Sequence, residues 1–335
     1  MRNKKLSLRR GGVLGLNERN AEYISRLNPR RLYPLVDDKV LTKRLAIEAN
    51  MAVPELYGVI GNQAEVKSFA SIVEPHESFV IKPANGSGGD GIVVISARRQ
   101  GRYRSIGGRL LSEGEIRHHI SNTVSGQYSL TGTPDSALIE YCVKFDPLFD
   151  QLSYRGVPDI RVIVYRGYPV MGMVRLPTQM SDGKANLHQG AVGAGVDLAT
   201  GRTLRGVLGN MPIDEHPDTG EAITGVTIPG WDFILTSAAR CSDVTGLGYL
   251  GVDMVIDRDL GPLILEMNAR PGLNIQIANG TGLKPRLGVI DRLYSKDDSP
   301  GTRAEAARRE FAVDPGAGTQ AGDSDHTGLS FADNH

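Results

Sequence analysis

The sequence predicts an α+β protein whose strands are mostly joined as antiparallel hairpins. Two pairs of strand-like apolar runs are separated only by short clusters of turn-forming residues: 160–165 with 168–176, and 249–256 with 262–268. Connections this short join antiparallel strands, because a parallel pair needs a crossover of a dozen or more residues. Helical stretches are mixed with these hairpins along the chain, and this combination is typical of the α+β class.

The composition is that of an ordinary globular protein. The chain has 335 residues, 40% of them hydrophobic, so it can bury the core of one large or two ordinary domains. Its 38 Lys and Arg balance 38 Asp and Glu, so net charge gives no reason to invoke nucleic acid or a membrane. Cys142 and Cys241 lie far apart, which argues against a disulfide framework and a zinc site. No membrane-spanning run or signal peptide is apparent, so a cytoplasmic location is expected.

The remaining elements follow from local patterns. After a basic N-terminal arm over 1–36, the sequence predicts helices at 41–50, 63–73, 112–121 and 234–245, and strands at 78–83, 92–95 and 137–141. Acidic residues just before the first of these helices suit the positive end of its dipole. From residue 295 to 335 large apolar residues are rare, so this tail is expected to be mostly disordered.

Asp253 and Glu266 are predicted to form a cation site. A hairpin centred between residues 259 and 260 pairs Asp253 with Glu266, and Asn268 shares the face of Glu266 because side chains alternate along a strand. Directly opposed carboxylates, roughly 5 Å apart, repel each other. A hard divalent cation removes that repulsion and prefers oxygen ligands. The alternative is a solvated face that carries two acids by chance.

A glycine-rich turn over 85–91 follows the strand 78–83, which carries Lys82 near its end. Its glycines allow backbone N–H groups to approach an anion closely, and Lys82 could place an ammonium group on the same phosphate. The turn is neither a Walker loop, since Gly-Lys-Ser/Thr is absent, nor a dinucleotide fingerprint, since a strand follows it. A plain tight hairpin turn is the alternative, just as Lys39, at the start of a helix, could be one more surface lysine.

Arg161 and Arg175 lie on otherwise apolar strands on either side of the Arg166-Gly167 turn. A charged group on a half-buried sheet needs a partner, and phosphate suits a guanidinium group. An in-register two-residue turn would put the two arginines on opposite faces. A bulge, near Pro169, is therefore required if they are to converge.

Taken in order, these motifs resemble the ATP-grasp superfamily, and most closely its RimK-type glutamate ligase group. The resemblance covers about residues 37–290, and its strength lies in the order of many individually weak motifs. The matching residues are Asp38-Lys39, the segment 79–82 with its glycine loop, Glu140-Tyr141, 159–161, Arg175, 186–190, 251–253 and 266–272.

The resemblance implies an ATP-grasp fold in which two α+β subdomains, 37–136 with the glycine loop and 137–294 with the metal site, clasp ATP. The usual N-terminal domain would be missing or reduced to 1–36. The implied nucleotide-binding residues are Lys39 and Lys82 at the α- and β-phosphates, Gly86, Ser87, Gly88, Gly89 and Gly91 over the phosphates, Glu140, Tyr141 and Cys142 at adenine, Asp159 at the ribose, and Arg161 and Asn186. Asp253, Glu266 and Asn268 would hold Mg²⁺ or Mn²⁺, with Arg175, Lys184 and Arg270 at the reacting groups.

The implied reaction is ligation of a carboxylate to an amine through an acylphosphate, with release of ADP and phosphate. Glutamate, another amino acid or a peptide is the expected substrate. Phosphoryl transfer depends on alignment and charge neutralisation, so no nucleophilic Ser, Cys or His is required. Two alternatives stay open: an ATP-binding regulatory module that has lost catalysis, and an ATP-grasp kinase.

Three departures from the family pattern bear on the substrate. Lys184 replaces an arginine, which keeps the charge but loses the planar fork. Arg270 stands where a small residue is usual, either as a clamp for a substrate carboxylate or as a salt-bridge partner. Only 38 residues precede Lys39. We therefore expect a second subunit, in a homo-oligomer, or a partner protein to complete the acceptor site.

Overall fold

The structure, a computed structural model, describes residues 11–313 except Ser87, Gln100, Leu130 and Thr131. The chain divides into two compact units, and the second unit contains Pro34–Lys144 together with Leu263–Glu266. Mixed helices and antiparallel strand pairings confirm the predicted α+β class. The helical segments are Leu16–Glu18, Arg19–Ile24, Ser25–Leu27, Arg30–Leu32, Pro34–Asp37, Lys39–Glu48, Gln63–Ser68, Phe69–Val73, Glu113–Val124, Pro147–Phe149, Leu187–Gln189, Trp231–Thr245, Ile275–Ala278, Leu283–Leu293 and Pro300–Glu310.

The second unit is built on a six-stranded sheet. Its strands are β1 (Leu56–Ile60), β2 (Phe79–Pro83), β3 (Val93–Arg99), β4 (Arg102–Ser105), β5 (Leu110–Ser112) and β6 (Ala137–Glu140), in the spatial order β1-β6-β2-β3-β4-β5. The strand–glycine loop–strand arrangement is confirmed, since β2 and β3 pair as an antiparallel hairpin. The expected subdomain boundary between 136 and 137 lies inside this unit instead, because β6 pairs with β1 on one side and β2 on the other.

Two helices, Phe69–Val73 and Glu113–Val124, cover one face of this sheet. Glu113–Val124 begins with a capping box between Ser112 and Glu115, and it buries Ile116, Ile120 and Val124, which recur every four residues along one stripe. They pack in a core with the buried rings of three aromatic residues: Phe69, Phe79 and Tyr103. The opposite face of β2 and β6 carries Val80, Lys82 and Glu140, and the helix Lys39–Glu48 packs there through Val40 onto Leu138.

The first unit contains most of a seven-stranded sheet. Its strands are β7 (Asp159–Tyr165), β8 (Tyr168–Leu176), β9 (Val192–Val196), β10 (Thr203–Leu208), β11 (Met211–Ile213), β12 (Tyr249–Asp257) and β13 (Gly261–Asn268), in the order β11-β10-β9-β8-β7-β12-β13. The hairpin strands at 249–256 and 262–268 are thus confirmed. Within the part of the chain that the structure describes, no helix is long and apolar enough to cross a bilayer.

The predicted bulge in the β7–β8 hairpin is present. Tyr165 pairs with Tyr168 and Val164 with Pro169, but the next pair is Ile163 with Met171, so Val170 is the extra residue. One extra residue reverses the alternation of every later side chain on β8. Residues 161 and 175 therefore lie on the same face of the sheet.

The segment before Pro34 belongs to the first unit and packs on strand β12 and on the residues that follow β13. The Asn28 amide group donates to the Tyr249 and Ala269 carbonyls and accepts from the Tyr249 N–H, while Arg19 donates to the Pro271 carbonyl at 2.5 Å. The basic residues before position 11 lie outside the described residues.

The expectation of a disordered tail is wrong for residues 295–313. Ser299 caps a helix over Pro300–Glu310, and Arg303, Ala304, Ala307 and Phe311 are buried. Arg303 pairs with Asp243 of the helix Trp231–Thr245, and Arg308 donates to the Ala199 carbonyl. The segment has few large apolar residues, which is why its composition indicated disorder. Its alanines are small enough to let the helix pack closely on its neighbours. Residues 314–335 lie outside the described residues.

Replacing Phe311 with alanine should lower the free energy of unfolding by about 3 kcal/mol, because a buried aromatic side chain is lost. Phe311 is 5% exposed, and the Arg286 guanidinium group lies over its ring at 5.1 Å. Urea denaturation measures the change. Val313→Ala, at a position that is 39% exposed, is the control and should stay within about 0.5 kcal/mol of wild type. Equal stability of the two variants would show that the tail is not docked.

Candidate functional site

A buried charged triad lies on the β2–β6 face of the second unit. The Lys82 ammonium nitrogen is 2.5 Å from one carboxylate oxygen of Glu140, and the Lys43 ammonium nitrogen is 2.8 Å from the other. All three residues are less than 9% exposed. Burial alone would raise the pKa of Glu140, but the two lysines outweigh it and lower that pKa. Two cations for one anion leave an excess positive charge that favours an anionic ligand.

Lys43 was not among the predicted site residues. It lies one helical turn after Lys39, and at that spacing two side chains share a helix face, which was the available signal. Its ammonium group also donates to the Pro54 carbonyl at 2.7 Å. Burial, only partly offset by Glu140, lowers the pKa of Lys43 to about 8.

Lys39 joins the start of its helix to the start of the glycine loop. The Asp38 carboxylate caps the helix by accepting from the N–H groups of the second and third residues after it. The Lys39 ammonium group donates to the Gly86 carbonyl at 2.6 Å, and its backbone N–H donates to the Ala84 carbonyl at 3.1 Å. Burial lowers the pKa of Lys39; the Glu266 carboxylate opposes this and Lys82 adds to it. Lys39, Lys82 and Glu266 are therefore electrostatically coupled.

The glycine loop is anchored at both ends. At its start, Asn85 donates from its backbone and side-chain nitrogens to the Asp135 carboxylate at 2.8–3.2 Å. At its end, the Gly91 carbonyl lies 2.9 Å from the His119 Nε2 atom. A Cβ atom at Gly91, whose φ is +76°, would lie 2.6 Å from the Tyr128 ring, so only glycine fits. Between these anchors Gly88 and Gly89 also have positive φ, and Ser87 falls outside the described residues.

His119 should control the order of this loop. Its Nε2 donates to Gly91 while its Nδ1 lies 3.4 Å from the Tyr128 hydroxyl, and burial lowers its pKa, which favours the neutral ring. His119→Leu removes a hydrogen bond of about 1 kcal/mol, so amide exchange over residues 85–91 should be about fivefold faster.

His119→Gln retains a donor at a similar reach and is the matched control. Hydrogen-exchange mass spectrometry should find its loop close to wild type. Indistinguishable exchange in the leucine and glutamine variants would rule out the anchoring role of His119.

A buried charged quartet lies on one face of the first unit's sheet. Asp159 is directly opposite Arg175, and Arg161 is directly opposite Asp253, while Asp159 and Arg161 are two residues apart on β7. Arg161 makes a bidentate pair with Asp253 at 2.5–2.6 Å, and Arg175 makes one with Asp159 at 2.5 Å. Arg175 also reaches Asp253 at 2.7 Å. The partners of the two arginines are thus carboxylates of the same chain.

The two carboxylates of the quartet have different electrostatic environments. Asp253 receives both guanidinium groups, which overcome its burial and lower its pKa to about 2. Asp159 has Arg175 as its bidentate partner and Asp253 as a nearby negative charge, so burial dominates and raises its pKa. The two acids raise the pKa of Arg175 despite its burial, so that guanidinium group stays charged.

The three predicted metal ligands are not equivalent. Both Asp253 oxygens accept from arginine, so a cation there would have to displace a guanidinium group. Glu266 is half-buried on β13 and forms no ion pair with a described residue, and the Asn268 side-chain oxygen accepts one bond, from the Arg270 N–H at 2.8 Å. Among the described residues, no three His, Cys, Asp or Glu side chains cluster as a metal site would require. Glu266 and Asn268 retain the hard oxygen donors that suit Mg²⁺.

The other predicted residues lie as follows. The exposed Arg270 guanidinium group stacks on Tyr33 at 5.0 Å. The Tyr141 N–H already donates to the Glu55 carbonyl at 2.9 Å, which leaves that N–H unavailable to adenine, and neither of the described cysteines, Cys142 and Cys241, forms a disulfide. Lys184 and Asn186 lie in the loop between β8 and β9, where the Asn186 side chain caps the turn Leu187–Gln189.

Comparisons with known proteins identify one family and several distant structural likenesses. A family model described as sugar-transfer associated ATP-grasp matches residues 18–292. No curated protein matches significantly.

The ATP-grasp ligase PsnB, complexed with a minimal precursor, is 14% identical with a TM-score of 0.41, over 85% of this chain and 63% of PsnB. The D-alanine–D-alanine ligase of Coxiella burnetii is 12% identical with a TM-score of 0.45, over 83% and 60%. A RimK domain ATP-grasp protein of Sphaerobacter thermophilus is 15% identical with a TM-score of 0.41, over 78% and 70%. The chain thus spans under two thirds of the length of PsnB.

Proposed function

Because this chain belongs to the sugar-transfer associated ATP-grasp family, we propose that it is an ATP-dependent ligase that joins a carboxylate to an amine. The predicted ATP-grasp resemblance and fold are confirmed by that membership, while the narrower RimK-type group stays a prediction. The reaction would proceed through an acylphosphate with release of ADP and phosphate.

The observation that carries the proposal is the convergence of cationic groups at the glycine loop. The Lys39 ammonium group touches the loop backbone at Gly86, and Lys82 is the second-last residue of the strand that enters the loop, with Lys43 adding a second buried cation beside it. Such a cluster neutralises the charge of a polyphosphate, and the open position at Gly88 allows close approach of N–H groups. Lys39 and Lys82 therefore remain the proposed phosphate ligands.

Glu140 has a supporting role in this proposal. Its carboxylate is held by two lysines, so it orients the Lys82 ammonium group and would meet adenine only through its backbone. Cys142, in the strand end that follows, remains the proposed backbone contact to the base, because the Tyr141 N–H is already bonded.

The arginines of the quartet can contact an anion without leaving their carboxylates. Arg161 and Arg175 use Nε and Nη2 for Asp253 and Asp159, and their Nη1 atoms form no hydrogen bond with a described residue. The two N–H donors on each Nη1 atom thus remain for a phosphoryl oxygen. Asp159 and Asp253 would hold these arginines in place, which revises the roles proposed for the two acids at ribose and metal.

Glu266 and Asn268 would hold the magnesium ion, since Mg²⁺ commonly takes one or two carboxylates and completes its shell with phosphates and water. When bound, the ion supplies charge neutralisation to the transferring phosphoryl group. Lys184, Asn186 and Arg270 are proposed to contact the γ-phosphate and the acceptor, and the Arg270 guanidinium group lies over the Tyr33 ring.

Product analysis by mass spectrometry tests the proposal. The protein is supplied with ATP, Mg²⁺ and pooled amino acids, and because the family is described as sugar-transfer associated, the pool also contains amino sugars and uronic acids. A condensed product with ADP supports ligation. A phosphorylated product would instead establish a kinase, and ATP binding without turnover would establish a regulatory module.

A further inference from the structure

One edge of the second unit's sheet has an uneven charge that the net charge conceals. Between residues 98 and 117 the sequence carries six arginines and two glutamates: Arg98, Arg99, Arg102, Arg104, Arg109, Arg117, Glu113 and Glu115. The glutamates are occupied, since Glu115 pairs with Arg109 and Glu113 with Arg117. Arg98 lies over the Tyr103 ring at 5.5 Å. Three arginines are left for another partner.

These three arginines share the solvent face of the β3–β4 hairpin. Arg99 is directly opposite Arg102, and Arg104 follows two residues later, while the intervening Tyr103 points into the core at 1% exposure. Like charges directly opposite each other destabilise a sheet. All three are exposed and form no ion pair with a described residue. The arrangement costs stability in isolation, so an anionic partner would offset it.

Two exposed aliphatic side chains accompany the arginines. Leu110 lies directly opposite Arg104 on β5 and is 51% exposed, and Ile106, in the turn between β4 and β5, is 57% exposed. We call Arg99, Arg102, Arg104, Ile106 and Leu110 the arginine face. It combines positively charged side chains with two apolar side chains that are exposed to water.

The arginine face extends away from the proposed phosphate site. β3 starts at Val93, beside the glycine loop, and ends at Arg99. At 3.2–3.4 Å per residue, the backbone of Arg99 is about 20 Å from that of Val93. The hairpin tip is therefore too distant to serve the same phosphates as Lys39 and Lys82.

We propose that the arginine face docks this protein onto the anionic surface of a lipid bilayer. Arginine suits this setting because its guanidinium group binds phosphate while its stem packs on apolar surface. Ile106 and Leu110 favour a bilayer over a soluble polyanion, since acyl chains near the headgroups can cover them and a polyphosphate cannot. Each arginine near an anionic leaflet should change partitioning about fivefold.

Vesicle co-sedimentation of the full chain tests the proposal. The protein should bind phosphatidylcholine vesicles that contain phosphatidylserine, bind pure phosphatidylcholine weakly, and be released by salt. The triple variant Arg99→Gln/Arg102→Gln/Arg104→Gln should bind about 100-fold more weakly. Removing the cross-strand repulsion should leave its thermal stability equal or higher. Ile106→Ser/Leu110→Ser should bind more weakly with an unchanged salt dependence.

The matched control is Arg26→Gln/Arg205→Gln/Arg258→Gln, which removes the same charge from arginines that already have acidic partners. It should bind like wild type. Equal loss in both triple variants would reduce the effect to net charge and overturn the proposal. So would equal binding to both vesicle types, or capture of soluble polyphosphate without vesicle binding. None of these measurements depends on ATP turnover, so their outcome is independent of whether the protein is a ligase.

Discussion

Glu266→Ala should abolish ATP-dependent turnover while leaving the fold intact. Glu266 forms no ion pair with a described residue, so its loss removes little that stabilises the protein. The substitution would remove the carboxylate proposed to bind magnesium. It would also remove the negative charge that partly offsets the effect of burial on the pKa of Lys39. We expect kcat to fall at least about 100-fold, the scale on which a lost electrostatic contact to the transition state acts. Product formation by mass spectrometry and thermal melting report the two effects separately.

Glu221→Ala, at an exposed position, is the control and should keep full activity. Raising the magnesium concentration should restore part of the activity of Glu266→Gln, which retains one oxygen donor, more readily than that of the alanine variant. Full activity of Glu266→Ala at ordinary magnesium levels would refute the metal assignment. Loss of the melting transition would instead assign Glu266 to the fold.

Arg175→Met should lower the free energy of unfolding by about 3–5 kcal/mol, the usual consequence of removing one partner from a buried ion pair. Asp159 would lose its bidentate partner, and Asp253 would keep only Arg161. Both aspartates are buried, at 9% and 5% exposed, so water replaces the lost guanidinium group poorly. Chemical denaturation monitored by circular dichroism measures the loss.

Two variants frame that result. Arg205→Met breaks an exposed pair with Asp214, whose side chains are 59% and 71% exposed, and should change stability by less than about 1 kcal/mol. Arg175→Met/Asp159→Asn removes the unpaired charge and should recover part of the loss. If Arg175→Met proves as mild as Arg205→Met, the quartet is solvated and its carboxylates do not need the arginine.

Local features of the fold could be predicted because local residues determine them. Alternation and turn chemistry located both hairpins, and the need to bring Arg161 and Arg175 to one face indicated a bulge beside Pro169. The glycine loop was recognisable because a strand, rather than a helix, follows it. Its anchors were not, since His119 reaches Gly91 from a helix 28 residues away in sequence.

Partners distant in sequence decided the rest of the site. Asp253 is 92 residues from Arg161, and no local sequence pattern indicated that its carboxylate would accept hydrogen bonds from two arginines instead of binding only a metal. Lys43 was missed because a lysine on an apolar helix face resembles an amphipathic surface residue until Glu140 is placed beside it. The tail helix was missed because composition does not reveal that Phe311 has a pocket to fill.

The extra residue Val170 makes the length of the β7–β8 hairpin a constraint of its own. Beyond this point, the face of the sheet on which each β8 side chain lies depends on the number of residues between it and the turn. Substitutions can be absorbed one at a time, but a single insertion or deletion would turn Arg175 to the other side of the sheet without altering any side chain of the quartet. Among relatives that keep both arginines and both aspartates, length changes between Pro169 and Arg175 should therefore occur in even steps.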